Sequence, residues 1–301
     1  MRTDNSQLAA FAAVLRSGSF EAAAQALHVT PSAVSQRIRQ LEERLGQVLI
    51  QRTLPCRATT TGKALARFAE QVTLLEAEML REIGSPEADE EARPRLALAI
   101  NADSLDGWFL DVCEAMLAAT PVDFDLRVED QDHSAALLRE GTVMAAVSAS
   151  AEAIQGCTVE AIGVMRYRAV ATPDFVRRYF PVGTDVDGLS RAPMLTFNRK
   201  DALQGRFLQQ LIGRSVPAPT HFAPSTPCFL EMARRGLAWG MIPEAMAEAA
   251  LGRGELTDIA PGAWLDVPLY WHRWRVSSGV LDQLTREVRR VAAKALRVAA
   301  G

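Results

Sequence analysis

Apolar positions recur at helical spacing through the first part of the chain and then change rhythm twice. Leu8, Phe11 and Leu15 lie three and four apart, and Gly18 closes that run. Ser19 is placed to cap a second helix whose apolar face is Ala22, Ala23, Ala26 and Leu27. After a turn at His28-Val29, Thr30 stands as N-cap with Pro31 at the first helical position, where a missing amide proton is no loss. Val34, Ile38, Leu41 and Leu45 then predict the buried stripe of a third helix. Val48-Leu49-Ile50 and Cys56-Arg57-Ala58 flank a turn containing Pro55 and predict a short hairpin. From Thr61 the spacing becomes 3, 4, 3, 4 through Leu65, Phe68, Val72, Leu75 and Met79, a heptad seam in a helix of about 25 residues. Such a seam wants a partner helix or the chain's own body. GSPEADEEARP, Gly84 to Pro94, breaks the helix with glycine, proline and acids and reads as a hinge.

Beyond Pro94 strands and helices alternate. Arg95 to Ile100 is an apolar strand, and a helix follows from Ser104 with Leu105, Trp108, Phe109, Val112 and Met116 at helical spacing. Phe124, Leu126 and Val128 alternate as a strand, HSAALLREG is a short helix closed by Gly141, and MAAVSAS is a third strand. That order predicts a parallel α/β unit. A second unit runs from VEAIGVMRYRAVATP through MLTF, a helix from Asp201, THF, a helix from Thr226 and LAWGMI. The chain returns with VPLYWHRW and ends in a helix from about Leu281 to Val298. The fold class is therefore α/β in two lobes, behind a helical N-terminal module.

Charge separates the same regions. The chain carries -3 overall, yet residues 1–67 hold nine Lys and Arg against four acids, a net of +5, which leaves -8 for the rest. A basic end on an acidic body suggests nucleic-acid binding at one end and other business at the other. The third helix agrees, because its polar face offers Ser32, Ser35, Gln36, Arg37 and Arg39. Short hydrogen-bonding groups near a helix N-terminus suit base edges in a major groove, and cations further along suit phosphates. Arg52 and Arg57 on the hairpin add two phosphate contacts. The competing reading is an amphipathic helix in an alanine-rich bundle with charges clustered by chance.

Other chemistries fare worse. Cys56, Cys113, Cys157 and Cys228 form no Cys-x-x-Cys pair, so reduced, packed thiols are expected. No leader and no apolar run of about 20 residues stand out, and a soluble, cytoplasmic protein is the expectation. Asp132-His133-Ser134 cannot converge as a catalytic triad from one turn, and no Gly-x-Ser-x-Gly elbow exists. Metal at Asp130, Asp132 and His133 lacks ligand spacing, and His221 and His272 are remote. Neither an enzyme nor a cofactor is expected.

TPSAVSQRIRQLEERLG, preceded by GSFEAAAQALHV and followed by RTLPCRATTTGKAL, resembles the winged helix-turn-helix of LysR-type transcriptional regulators across residues 6–80. The resemblance implies a winged helix-turn-helix over 1–60, a linker and dimerisation helix over 61–84, a hinge over 85–94, and a two-lobed periplasmic-binding-protein-like effector domain over 95–301. It also implies a homodimer or tetramer on double-stranded promoter DNA, with RNA polymerase as a further partner and a small-molecule effector.

In open α/β sheets ligands settle beyond the carboxyl ends of the strands. This rule selects Asn101, Asp103 and Ser104, then Glu129, Asp130, Asp132 and His133, then Ser148, then Asn198 and Arg199, then Ser225 and Thr226, with Trp108 completing the set. Helix N-termini at Ser104 and Thr226 suit a carboxylate, and the acids suit a cation. An amino acid, and a basic one, fits both. The alternative is that Asp103, Asp132 and Asp201 only cap helices. INADSLDGWF, RVEDQDHS, FNRKDALQ, AWGMIP and DVPLYW are similar to motifs of the family's basic-amino-acid-responsive subgroup, the ArgP and LysG regulators. That resemblance implies lysine or arginine as effector and an amino-acid exporter gene as target. One departure is Gly107, where the pattern expects threonine. The rival function is an architectural, nucleoid-associated DNA-binding protein without effector control.

Overall fold

The computed structural model describes residues 4–84, 93–128 and 131–298, and for 131–133 the backbone alone. Three helices open the chain, α1 (Asn5–Ser17), α2 (Phe20–Ala26) and α3 (Pro31–Leu45). Each begins at a side-chain cap: Asp4 accepts from the Ser6 amide at 2.8 Å, Ser19 from Ala22 at 3.0 Å and Thr30 from Ala33 at 3.2 Å. Phe11, Val14, Val34, Ile38, Leu41 and Leu49 form the buried core of this module. The hairpin is shorter than expected, β1 (Ile50–Gln51) against β2 (Arg57–Ala58). Gly18 stands at φ 73°, and a Cβ there would lie 2.9 Å from the Pro55 side chain. Its carbonyl also accepts from the Cys56 amide at 2.7 Å, so the first turn and the hairpin are fixed to each other.

Helix α4 (Thr60–Glu82) has three kinds of face. Ala66 and Ala69 enter the N-terminal core, and Leu74 enters the core of the C-terminal domain. The seam residues Phe68, Leu75 and Met79 remain 45%, 40% and 49% exposed. Polar contacts tie α4 to the C-terminal domain as well. Lys63 pairs with Glu140 at 2.6 Å, and Arg67 donates to the Gln155 carbonyl at 2.9 Å.

The first lobe contains β3 (Arg95–Ile100), α5 (Ala102–Leu105), α6 (Phe109–Ala119), β4 (Asp123–Val128), α7 (Gln131–Glu140) and β5 (Ala145–Ser148). As the alternation predicts, β3 pairs in parallel with both β4 and β5. The long β6 (Cys157–Ala171) crosses to the second lobe. There follow α8 (Pro173–Tyr179), α9 (Val186–Arg191), β7 (Met194–Thr196), α10 (Leu203–Ile212), β8 (Thr220–Phe222), α11 (Thr226–Arg234), β9 (Gly240–Pro243), α12 (Glu244–Gly252) and β10 (Thr257–Asp258). Strand β11 (Trp264–Trp274) returns antiparallel to β6, and α13 (Gly279–Ala295) packs back on the first lobe beside α6. One sheet of order β10-β6-β11-β5-β3-β4, with β9 on β6, therefore runs through both lobes, and β7 and β8 form a parallel pair beside it.

The helix predicted from Ser104 to Met116 is two helices. A turn at Asp106-Gly107-Trp108 divides them, and a Cβ on Gly107 would lie 2.9 Å from the Asp103 carbonyl. Helices α8, α9 and α12 were not anticipated. Among the described residues no helix is long and apolar enough to cross a membrane.

Candidate effector cleft and DNA-reading face

Val34, Ile38 and Leu41 turn one side of α3 inward, which leaves Ser32, Gln36 and Arg39 exposed and Ser35 and Arg37 half-buried. Ser32 shares a 2.9 Å hydrogen bond with Thr30. Arg39 pairs with Glu43 one turn on, at 2.8 Å. Exposed pairs of this kind are worth only about 0.3–0.5 kcal/mol, so a phosphate can recruit the arginine at little cost. On the hairpin Arg57 is exposed, and the Arg52 guanidinium sits 5.0 Å from the centre of the Phe20 ring.

The lobes enclose a cleft of about 540 Å³. Asp103, on the short helix after β3, stands in its wall and is held from both sides. Tyr167 of β6 donates to one carboxyl oxygen at 2.6 Å, and Thr226, first residue of α11, donates to the other at 2.8 Å. Burial pushes this carboxyl above its ordinary value of 3.8, against the two hydrogen bonds that pull it down, and nearby Asp201 adds to the rise. Burial first and then Asp103 raise the Tyr167 hydroxyl well above its usual range, so it stays a donor. Asp201 lines the same cleft and accepts from the Phe197 and Leu203 amides, both at 2.9 Å. A carboxylate has about four acceptor sites, so both acids retain capacity for a ligand. Gln204 and Arg206 on α10 and the rings of Phe197 and Phe229 complete the walls.

Of the residues selected from the sequence, Asn101, Asp103, Asn198 and Thr226 line this cleft. The others do not. Ser104 is fully buried behind it, because α5 turns that side chain into the lobe. Trp108 lines a neighbouring groove of about 640 Å³ that shares Asp103 as a wall. Ser148 is buried on β5 and accepts from the Ser150 amide at 3.1 Å, a turn contact. Arg199 projects outward over the Phe222 ring at 5.2 Å. Ser225 caps α11, accepting from the Cys228 amide at 3.4 Å. Glu129 and Asp130 lie outside the described residues, as do the side chains of Asp132 and His133. Tyr167, Gln204 and Arg206 lie beyond the reach of the strand-end rule, and Asp201 reads in the sequence only as a helix cap.

A helix-turn-helix with an exposed polar recognition helix, joined by a long helix to two lobes around a cleft of ligand size, defines a DNA-binding regulator governed by a small molecule. Residues 6–63 match the bacterial regulatory helix-turn-helix protein, lysR family, and residues 89–293 match the LysR substrate binding domain. The chain belongs to the LysR family of transcriptional regulators. It is 46% identical over 289 residues to the transcriptional regulator LysG of Mycobacterium tuberculosis, covering 96% of this chain and 93% of that one. It is 42% identical over 286 residues to ArgP of Pseudomonas aeruginosa, covering 95% and 94%. The solved full-length LysG of Corynebacterium glutamicum with bound effector arginine superposes with a TM-score of 0.77 at 38% identity, covering 98% of this chain and 100% of that one. These relatives are regulators and not enzymes, and the arginine in the corynebacterial protein is an effector rather than a cofactor.

Proposed function

We propose that this regulator senses a basic amino acid, arginine or lysine, in the cleft between its lobes and thereby controls an amino-acid exporter gene. It acts in the cytoplasm as a homodimer through α4, or as a tetramer built from such dimers, and works on promoter DNA with RNA polymerase as the downstream partner. The observation that carries the effector assignment is the pair Asp103 and Asp201 on one cleft. Two carboxylates with spare acceptor sites, walled by aromatic rings, suit a guanidinium or ammonium on an alkyl stem. The Thr226 amide at the start of α11 and the Arg206 guanidinium suit a carboxylate. The arginine held by the corynebacterial relative supports the same choice. The DNA assignment rests on the exposed polar face of α3, and the exporter on the likeness to the ArgP and LysG regulators.

Thermal denaturation tests the effector. At about a hundred times its dissociation constant, arginine or lysine stabilises the folded chain by about 2.7 kcal/mol, while citrulline and norleucine at equal concentration do far less. No shift with either basic amino acid would remove the effector assignment. Footprinting upstream of amino-acid exporter genes, with and without arginine, tests the target, and a pattern unchanged by arginine would favour the architectural function.

A further inference from the structure

Gln204, at the start of α10, lines the cleft and is 2% exposed. Neither its Oε1 nor its Nε2 has a hydrogen-bond partner. A side-chain amide kept for packing uses at least one end, since a buried polar group left idle is unfavourable. An amide idle at both ends, on a residue that lines a cleft, is placed for a ligand. The same cleft holds a second idle acceptor, Oδ1 of Asn101.

The two ends of the amide have opposite chemistry, because Oε1 accepts and Nε2 donates. A guanidinium or ammonium only donates, so it satisfies Oε1 and leaves Nε2 unpaired. An α-amino acid carries an ammonium and a carboxylate on one carbon and satisfies both ends together. Asn101 then takes a second ammonium proton, while Asp103 and Asp201 serve the cationic side chain. We infer that Gln204 reads the α-amino-acid head of the effector and excludes amines that carry the cation without that head. The inference rests on the proposed basic-amino-acid effector only for the far end of the ligand.

Titration calorimetry on the full chain tests it with L-arginine, agmatine, Nα-acetylarginine and L-norleucine. Agmatine lacks the carboxylate, Nα-acetylarginine lacks the ammonium, and norleucine keeps the head without the cation. The wild-type protein binds arginine roughly tenfold or more tightly than agmatine, which leaves Nε2 unpaired, and also more tightly than Nα-acetylarginine, whose single amide N–H can serve Oε1 but leaves none for Asn101. Gln204→Leu brings arginine down to the level of agmatine, and its thermal midpoint without ligand does not fall, since an idle buried amide has been removed. Gln204→Glu, an acceptor at both ends, moves the preference toward agmatine. Equal wild-type affinity for arginine and agmatine overturns the inference, and this measurement needs no variant. So does a Gln204→Leu protein that keeps its preference for arginine. If both ligands bind equally and both are lost in Asp103→Asn, the head-reading role fails and the basic effector stands. If norleucine binds as well as arginine and Gln204→Leu loses both, the basic effector fails and the head-reading role stands.

Discussion

Asp103 takes hydrogen bonds from Tyr167 on the crossover strand and from Thr226 in the second lobe, and burial holds its carboxyl above the usual range. The folded, unliganded chain therefore holds this proton more tightly than an exposed carboxyl does. The raised value contributes stability below pH 3.8, and that contribution is lost as pH rises through the folded value. A cation bound beside Asp103 favours the ionised form, so binding expels a proton in that window. Arginine affinity should rise with pH through the interval above 3.8 and then level off. Asp103→Asn should flatten that rise and weaken arginine by roughly tenfold to a hundredfold, the worth of a charge-assisted hydrogen bond, as calorimetry from pH 4 to pH 7 would measure. A variant that keeps both the affinity and the pH slope would place the cation elsewhere. Asp103, Asn101 and Thr226 were legible because they follow strand ends or open helices. Tyr167 was not, since an alternating strand announces only that half its side chains are covered. Ser148 and Arg199 mark the converse error: proximity to a strand end says nothing about the direction of the side chain.

Helices α2 and α3 could be read almost to their first residues, because the caps Ser19 and Thr30 agree with the apolar spacing, whereas α1 and α4 show themselves by spacing, with Gly18 marking the end of α1. The break between α5 and α6 was hidden for a physical reason. Leu105, Trp108, Phe109, Val112 and Met116 keep helical spacing across the turn, and only Gly107 betrays it. Helices α8 and α9, seven and six residues long, are too short to show a period. On α4, the exposed seam makes a definite prediction. Replacing Phe68 and Leu75 together by glutamate should convert the proposed dimer to monomer in sedimentation velocity while leaving helix content unchanged, since neither residue is buried in the protomer. A double variant that stays dimeric would move the interface to another surface.

At the scale of the molecule, strand and helix alternation predicted two lobes but not the single sheet that joins them. Strands β6 and β11 are long enough to serve both lobes, and their pairing from Trp264–Arg168 to Trp274–Cys157 carries the crossing, with one register shift between Leu269 and Tyr270. On that crossing His272 is buried, its Nε2 lies 2.8 Å from the Ser150 carbonyl, and its Nδ1 has no partner. Burial lowers its pKa below 6.5 despite the Ser150 contact that raises it. A lowered value means stability fully present above 6.5 and lost as pH falls below it, where the unfolded chain binds the proton first. Urea midpoints should therefore drop between pH 7.5 and pH 5.5, and His272→Gln should reduce that drop. An unchanged slope in the variant would assign the titration to another group.

Near its C-terminal end α4 meets the sensor once more: Glu78 accepts from the Ser278 hydroxyl at 2.5 Å and from the Val280 amide at 2.9 Å, at the start of α13. Together with Lys63, Arg67 and Leu74, this gives the sensor a hold along most of the helix, while Ala66 and Ala69 belong to the reading head. For anyone building hybrid regulators, this removes the obvious splice site. A cut between α4 and β3 leaves the sensor with an uncovered Leu74 footprint, and a cut before α4 strips the reading head of its alanine floor. A working graft has to redesign one face of α4 for its new host.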